Sequence, residues 1–225
     1  MRLTIIFNPL LPTCKLGNPL VSPNNLIYQF KISLADIEPT IWRRIQVPAN
    51  YSFWDLHVAI QDSMGWLDCH LHEFRIPAPL DNEVVLIGIP DDDWGEISVM
   101  PGWEVPITAY LNEPGQAVEY EYDFGDSWTH QILLEAILVK EEGTDYPKCI
   151  AGERACPPED CGSVPGYYGL LEVISNSENE EYEDTLTWLE GEVTRYHPFS
   201  PDKFEPQIVK FDNPKKRWKI AFSEQ

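Results

Sequence analysis

Basic side chains are scarce in this 225-residue chain, which has 16 lysines and arginines against 37 aspartates and glutamates. The formal net charge of −21 does not favour a molecule that binds phosphates over its whole surface, because such binding needs clustered positive charge. No run approaches the roughly 18 uncharged apolar residues of a membrane helix, so no bilayer span is predicted. Cysteine is also rare, and its odd count of five predicts a cytoplasmic protein with reduced thiols rather than a secreted disulfide framework.

Apolar and aromatic residues are plentiful enough to form a core. Hydrophobic residues make up 43% of the chain and aromatic residues 12%, with eight tryptophans. This composition excludes global disorder, a collagen-like repeat and a coiled coil. We predict one α+β domain over residues 26–205, preceded by an irregular lead-in over 1–25 and followed by a basic tail over 206–225.

The charge is unevenly distributed along the chain. Residues 81–205 carry five basic and 29 acidic side chains, whereas the last twenty residues carry five basic and two acidic ones. A short basic tail beside such an acidic body is expected to dock on that body rather than on nucleic acid. The pattern therefore favours a protein partner and does not favour direct nucleic-acid binding.

Hydrophobic periodicity predicts the first elements of the fold. Alternation predicts strands over 26–34 and 41–47. A helix follows, with Ser52 as its N-cap, Asp55 as the capping-box partner and Gly65 at its end.

The later predicted elements do not follow a regular β-α alternation. A strand over 70–76 would place His70 and His72 on one face, because side chains of a strand alternate between faces. Helices are predicted over 167–175 and 182–189. The order of strands, helix, strands and then helices predicts an α+β fold with a mainly antiparallel sheet, one helix packed on it and further helices near the C-terminus.

A hairpin is predicted around Gly125-Asp126, a dipeptide typical of two-residue turns. Its strands are predicted over Glu119–Phe124 and Ser127–Val139. A two-residue turn would set Glu121 opposite His130, with Asp123 on the same face. A carboxylate beside an imidazole is a general acid–base pair, so these three residues are candidate catalytic groups. The alternative is a cross-strand pair that only stabilises the sheet.

Three cysteines within thirteen residues form a candidate zinc site. Cys149, Cys156 and Cys161 would supply soft ligands, with His70, His72 or His130 as the fourth. The alternative is a loop braced by proline and glycine in which small thiols are buried. Because imidazoles, carboxylates and thiols are too polar to bury alone, we expect one of the histidines to lie near this loop.

Six short motifs, spread over residues 26–190, carry a resemblance to a known family. They are Ile41-Trp42-Arg43-Arg44, Met64-Gly65-Trp66, His70-Leu71-His72-Glu73-Phe74, the segment from Tyr120 to His130, Tyr146-Pro147-x-Cys149, and Cys156-Pro157-Pro158-Glu159-Asp160-Cys161-Gly162. With these motifs the chain resembles the plasmid-borne family named after the third open reading frame of a root-inducing (Ri) plasmid. The resemblance implies an α+β fold and an association with plasmids and mobile elements, without implying a particular reaction.

Three hypotheses of function remain open from the sequence. The first is a non-enzymatic interaction domain in which the motifs mainly build the fold. The second is a regulatory partner of DNA transactions whose acidic surface would meet a basic protein rather than DNA. The third is a hydrolase- or nuclease-like enzyme that uses Glu121, Asp123 and His130, with or without a bound metal such as zinc. An enzyme is expected to gather these groups around one concave cleft.

Overall fold

The structure is a computed structural model that describes residues 22–77, 84–90, 98–191 and 193–222. The predicted lead-in up to residue 21, which includes Cys14, lies outside these ranges. The helices within them are too short or too polar to cross a bilayer.

One eight-stranded sheet forms the centre of the described structure. Its strands are β1 (Leu26–Leu34), β2 (Trp42–Pro48), β3 (His72–Pro77), β4 (Val84–Gly88), β5 (Val99–Pro101), β6 (Ala117–Tyr122), β7 (Trp128–Val139) and β8 (Lys148–Glu153). The spatial order is β5-β4-β3-β6-β7-β1-β2-β8. Neighbouring strands run antiparallel except for the parallel pair β4 and β5.

Helices accompany the sheet in the described ranges. They are α1 (Phe53–Met64), α2 (Ser163–Ser175), α3 (Tyr182–Leu189) and α4 (Pro214–Phe222), with 3-10 turns at Pro23–Asn25, Ile107–Ala109 and Pro206–Ile208. A mainly antiparallel sheet with separate helices confirms the predicted α+β class.

The helix α1 begins and ends as its sequence predicts. The Asp55 N–H donates to Ser52 Oγ (3.2 Å), and the Ser52 N–H donates to Asp55 Oδ2 (2.9 Å). Gly65 ends the helix in the left-handed conformation, with φ of 103°. The apolar residues at helical spacing lie in the core: Phe53, Leu56, Ala59, Ile60 and Met64. Burying each larger side chain stabilises the fold by about 1.5–3 kcal/mol.

The two faces of the sheet differ in polarity. In β1, Phe30, Ile32 and Leu34 alternate into the core beneath α1. The opposite face carries polar side chains, among them Arg44, whose guanidinium donates two hydrogen bonds to the Glu135 carboxylate (2.6 and 2.8 Å). This division is typical of an antiparallel sheet with one face on the core.

The helix α4 docks on the side of α1 that faces away from the sheet. Trp54 Nε1 donates to the Pro214 carbonyl (3.0 Å), and Arg217 contacts Asp62 (2.8 Å) and Asp68 (2.9 Å). Asp62 is fully buried, so its charge requires these partners. The basic tail therefore docks on the rest of the chain through Arg217, as predicted, but its partners Asp62 and Asp68 lie before the acidic segment 81–205.

The predicted two-residue hairpin turn is wrong. The connection between β6 and β7 has five residues, Asp123–Ser127, and pairs Tyr120 with His130. The Asp123 carboxylate accepts the Gly125 N–H (3.0 Å), and this local hydrogen bond builds a longer turn than the glycine alone suggested. The register is therefore shifted by one residue.

Candidate functional site

Three motif segments that are far apart in the chain meet around His70. This histidine lies in the connection between α1 and β3, two residues before the strand begins. Asp123 directly follows β6, and Glu159 and Asp160 form a turn before α2. Asp123 N–H donates to the Leu71 carbonyl (2.9 Å), which fixes the hairpin end beside the histidine.

Three carboxylates lie around the Nε2 atom of the His70 imidazole. The Nε2 atom of His70 lies 3.1 Å from Asp160 Oδ1, 3.7 Å from Asp123 Oδ2 and 3.9 Å from Glu159 Oε2. Even a protonated imidazole leaves this group of four with an excess of negative charge if all three carboxylates are ionised. The arrangement is suited to holding a proton or a cation.

Glu159 is held in place by hydrogen bonds to only one of its carboxylate oxygens. Its Oε1 accepts the Leu67 N–H (2.5 Å) and the Tyr122 hydroxyl (3.0 Å). The side chain is 3% exposed, and burial raises its pKa. Its Oε2, directed towards His70, has no hydrogen-bond partner among the described residues.

In Asp123, as in Glu159, one carboxylate oxygen accepts a hydrogen bond and the other points towards His70. Its Oδ1 accepts the Gly125 N–H, and its Oδ2 is the oxygen nearest to His70. The neighbouring Asp126 accepts the Gly162 N–H (3.1 Å), which joins the hairpin turn to the end of the cysteine loop. The hairpin turn and the Glu159–Asp160 turn are thus tied to each other on both sides of His70.

Two overlapping groups of ligand atoms occur here within the described part of the chain. One comprises His70, Asp123 and Asp160, and the other comprises Cys69, His70 and Glu159. In each group the ligand atoms lie within 4.8 Å of one another. These residue types and separations could hold a divalent cation.

The predicted pair of Glu121 and His130 is not formed. Glu121 lies opposite Thr129 on the outer face, where its carboxylate contacts Arg75 and accepts the Ser127 hydroxyl (2.6 Å). His130 lies on the core face because paired positions alternate between the faces. Of the three candidate catalytic residues, Asp123 alone lies in the His70 cluster.

His70 and His72 do not share a face, because β3 begins only at His72. The His72 ring is buried and stacks on His57, with centroids 3.5 Å apart. Burial lowers the pKa of His72 well below its usual value. His57 in turn contacts Tyr120 Oη (2.9 Å) and Asp68 (2.8 Å), so this stack belongs to a buried polar network of the core.

The three cysteines of the candidate zinc site do not enter either ligand group among the described residues. Burial raises the pKa of Cys149 to about 11 and that of Cys161 to about 12. Cys156 is 5% exposed and belongs to the hydrophobic core, and burial also raises its pKa. The three thiols therefore pack as small side chains.

The expectation that a histidine lies near the cysteine loop is confirmed, but the histidine contacts carboxylates of the loop and not its thiols. His70 approaches Glu159 and Asp160, which the loop contains. The sequence reasoning did not select these two acidic residues or Cys69. The available signal was that Glu159 and Asp160 lie inside one of the motifs that carry the family resemblance.

A cavity of about 560 Å³ adjoins the cluster on the outer face of the sheet. Leu71 and Phe124, next in sequence to His70 and Asp123, form part of its wall. Its other apolar lining residues are Val84, Leu86, Ile89 and Val99. Its charged lining residues are Glu73, Arg75 and Glu121.

The fold and this site define an α+β protein whose family motifs surround one histidine. The chain belongs to the family described as Plasmid pRiA4b ORF-3-like protein, whose model matches residues 26–208. It is 32% identical over 162 residues to the uncharacterized protein y4hQ of Sinorhizobium fredii, covering 72% of this chain and 80% of that protein. It is also similar to the crystal structure of MM3350, a protein of unknown function from Methanosarcina mazei Go1, with a TM-score of 0.71 and 43% identity over 83% of this chain and 98% of that chain.

Proposed function

We propose that this protein is a non-enzymatic interaction domain of the cytoplasm that binds a basic, apolar segment of a partner protein. The observation that carries the proposal is the apolar cavity on the acidic outer face of the sheet. Its apolar wall consists of Leu71, Val84, Leu86, Ile89, Val99 and Phe124. Exposed apolar surface with a polar rim is typical of sites that bind other molecules.

The strand register explains why apolar residues line this face. Leu86 is paired with Arg75 in β3 and with Val99 in β5, so these three side chains share the outer face. Val84 at the start of β4 is 54% exposed, and Leu71 is 44% exposed. A partner that covered them would remove apolar surface from water at about 25 cal/mol per Å².

The charges beside the cavity favour a basic partner. Arg75 contacts Glu73 (2.6 Å), Glu119 (3.2 Å) and Glu121, so three carboxylates face one guanidinium. Residues 81–205, which include Glu119 and Glu121, carry 29 acidic and five basic side chains and add to this negative field. Such a field attracts lysine and arginine and repels the phosphates of nucleic acid.

The test uses peptides of defined chemistry. We expect the full chain to bind a fluorescent peptide of alternating leucine and lysine and not the matching peptide of leucine and glutamate, as measured by anisotropy. Val84→Lys should weaken this binding at least about tenfold, or about 1.4 kcal/mol. Val139→Lys is the matched control because Val139 is 63% exposed and lies outside the cavity lining.

Any of three results would overturn the proposal. The first two are equal binding of the two peptides and equal effects of the two lysine variants. The third is a salt-sensitive, submicromolar affinity for duplex DNA at physiological salt, which would assign the partner to nucleic acid instead.

The hydrolase- or nuclease-like alternative receives less support from the geometry. A general acid–base pair requires its two groups within hydrogen-bond reach of one substrate. Glu121 and His130 point to opposite faces of the sheet, so one substrate cannot contact both. The protein-interaction function is therefore the better-supported proposal.

A further inference from the structure

We propose that His70, Asp123, Glu159 and Asp160 form a structural zinc site that joins three separate segments of the chain. None of these four residues lines the cavity that is proposed to bind the partner segment. Its ligands would be one imidazole nitrogen and three carboxylate oxygens. Zinc binds both ligand types, and sites with four protein ligands are typically tetrahedral and structural.

The separations between His70 Nε2 and the three carboxylate oxygens are close to those of tetrahedral coordination. Ligand bonds of about 2.0–2.2 Å place tetrahedral ligands about 3.3–3.6 Å from one another. The three carboxylate oxygens lie 3.1, 3.7 and 3.9 Å from His70 Nε2. Glu159 belongs to one ligand group and Asp123 and Asp160 to the other, with His70 in both. Binding of one ion would therefore require these carboxylates to move towards each other around His70.

The unpartnered oxygen of Glu159 distinguishes this cluster from a chance group of acidic residues. Burying a carboxylate oxygen without a partner costs free energy, and the Glu159 side chain is 3% exposed. Its Oε2 has no hydrogen-bond partner among the described residues. The buried Nε2 of His70 lies 3.1 Å from Asp160 Oδ1 but makes no hydrogen bond of normal geometry with a described residue. Both atoms are directed at the same place, and a cation between them would satisfy both.

Hydrogen bonds from neighbouring groups hold these carboxylates in place, as they do for metal ligands in known sites. Tyr122 and the Leu67 N–H bind the far oxygen of Glu159, and the Gly125 N–H binds the far oxygen of Asp123. Such hydrogen bonds orient carboxylates towards a metal. The backbone segments are already fixed, so metal binding would require little ordering.

The ligand chemistry favours zinc over magnesium or calcium. Magnesium and calcium prefer sites made wholly of oxygen, whereas an imidazole nitrogen suits zinc. The Sγ of Cys69 also lies within 4.8 Å of a His70 nitrogen and a Glu159 oxygen. A soft sulfur at the edge of the site adds to this preference.

The test is titration of zinc chloride into full-length protein purified without a histidine tag and stripped with a chelator. Calorimetry should give one ion per chain, and zinc should raise Tm more than magnesium does. Cobalt chloride should give the intense visible absorption of tetrahedral Co²⁺. His70→Asn and Glu159→Gln should each weaken binding at least about 100-fold, because a direct ligand contributes more than a supporting hydrogen bond.

Two further variants separate a built site from general attraction to acidic residues. Tyr122→Phe removes the hydroxyl that binds Glu159, and it should weaken zinc binding by about 10–100-fold. Asp145→Asn removes an exposed acidic charge outside the cluster and should leave the affinity unchanged. Binding that is absent, or equally strong in His70→Asn, Glu159→Gln and Asp145→Asn, would overturn the zinc site and leave the proposed partner-binding cavity unaffected.

Discussion

Tyr120 and His130 lie directly opposite each other on the core face of β6 and β7. The His130 ring is completely buried, and its Nδ1–H donates to the Trp128 carbonyl (2.9 Å). Burial lowers the pKa of His130 to about 4. His130 is thus a neutral core residue at physiological pH, and this has a measurable consequence for stability.

We expect His130 to make the protein less stable as the pH falls from about 6.5 to 4. In that window the unfolded chain binds a proton at His130 and the folded chain does not, so protonation favours unfolding. Urea unfolding should show wild type losing about 3 kcal/mol more than His130→Gln between pH 7 and pH 4. Other titrating groups are common to both proteins and cancel in the comparison. Parallel pH curves for the two proteins would contradict this prediction.

Arg217 is expected to stabilise the fold through Asp62. Removing one partner leaves a buried carboxylate less well compensated, although Arg195 and the Asp212 N–H still contact Asp62. Arg217→Ala should therefore lower the free energy of unfolding by about 2–4 kcal/mol. Lys216→Ala, an exposed change in the same helix, should stay within about 0.5 kcal/mol of wild type. Equal losses would show that the helix α4, and not the Asp62 contact, determines the effect.

The Ser52 side chain should stabilise the fold by the modest free energy that is typical of an N-cap. Ser52→Ala removes the acceptor for the Asp55 N–H and should cost about 1 kcal/mol in urea unfolding. Ser52→Thr keeps a hydroxyl and should recover most of that loss. If both variants lose the same amount, the hydroxyl does not act as the cap.

Two glycines of α2 should respond in opposite directions to alanine. A Cβ on Gly166 would lie 2.0 Å from the Cys161 carbonyl oxygen, whereas one on Gly169 meets no described atom within 4 Å. Gly166→Ala should lower Tm, at a cost of about 1–3 kcal/mol for the forced shift. Gly169→Ala should raise Tm, because alanine in a helix is favoured by about 0.5–1 kcal/mol. A rise in both melting temperatures would contradict the close packing at Gly166.

Local sequence signals determined much of the fold. Alternation predicted β1 and β2, and the pattern from Ser52 to Gly65 predicted α1 with both of its ends. Such elements are predictable because their hydrogen bonds and apolar spacing depend on nearby residues. The strand β8 was missed, since its pairing with β2 joins residues about a hundred positions apart in a segment rich in proline and cysteine.

The sequence by itself also determined the family and the motifs, but only the tertiary structure decided which motif residues meet. The hairpin turn is closed by the Ser127 N–H, which donates to the Asp123 carbonyl, and by the Gly125 N–H, which donates to the Asp123 carboxylate. The resulting shift of one residue in register moved His130 to the core. Likewise, His70 meets Glu159 because the Leu67 N–H and the Tyr122 hydroxyl hold that carboxylate. Those contacts join segments up to 92 residues apart. Spacing along the chain carries no information about such contacts, because they form only when the sheet and its connections pack together.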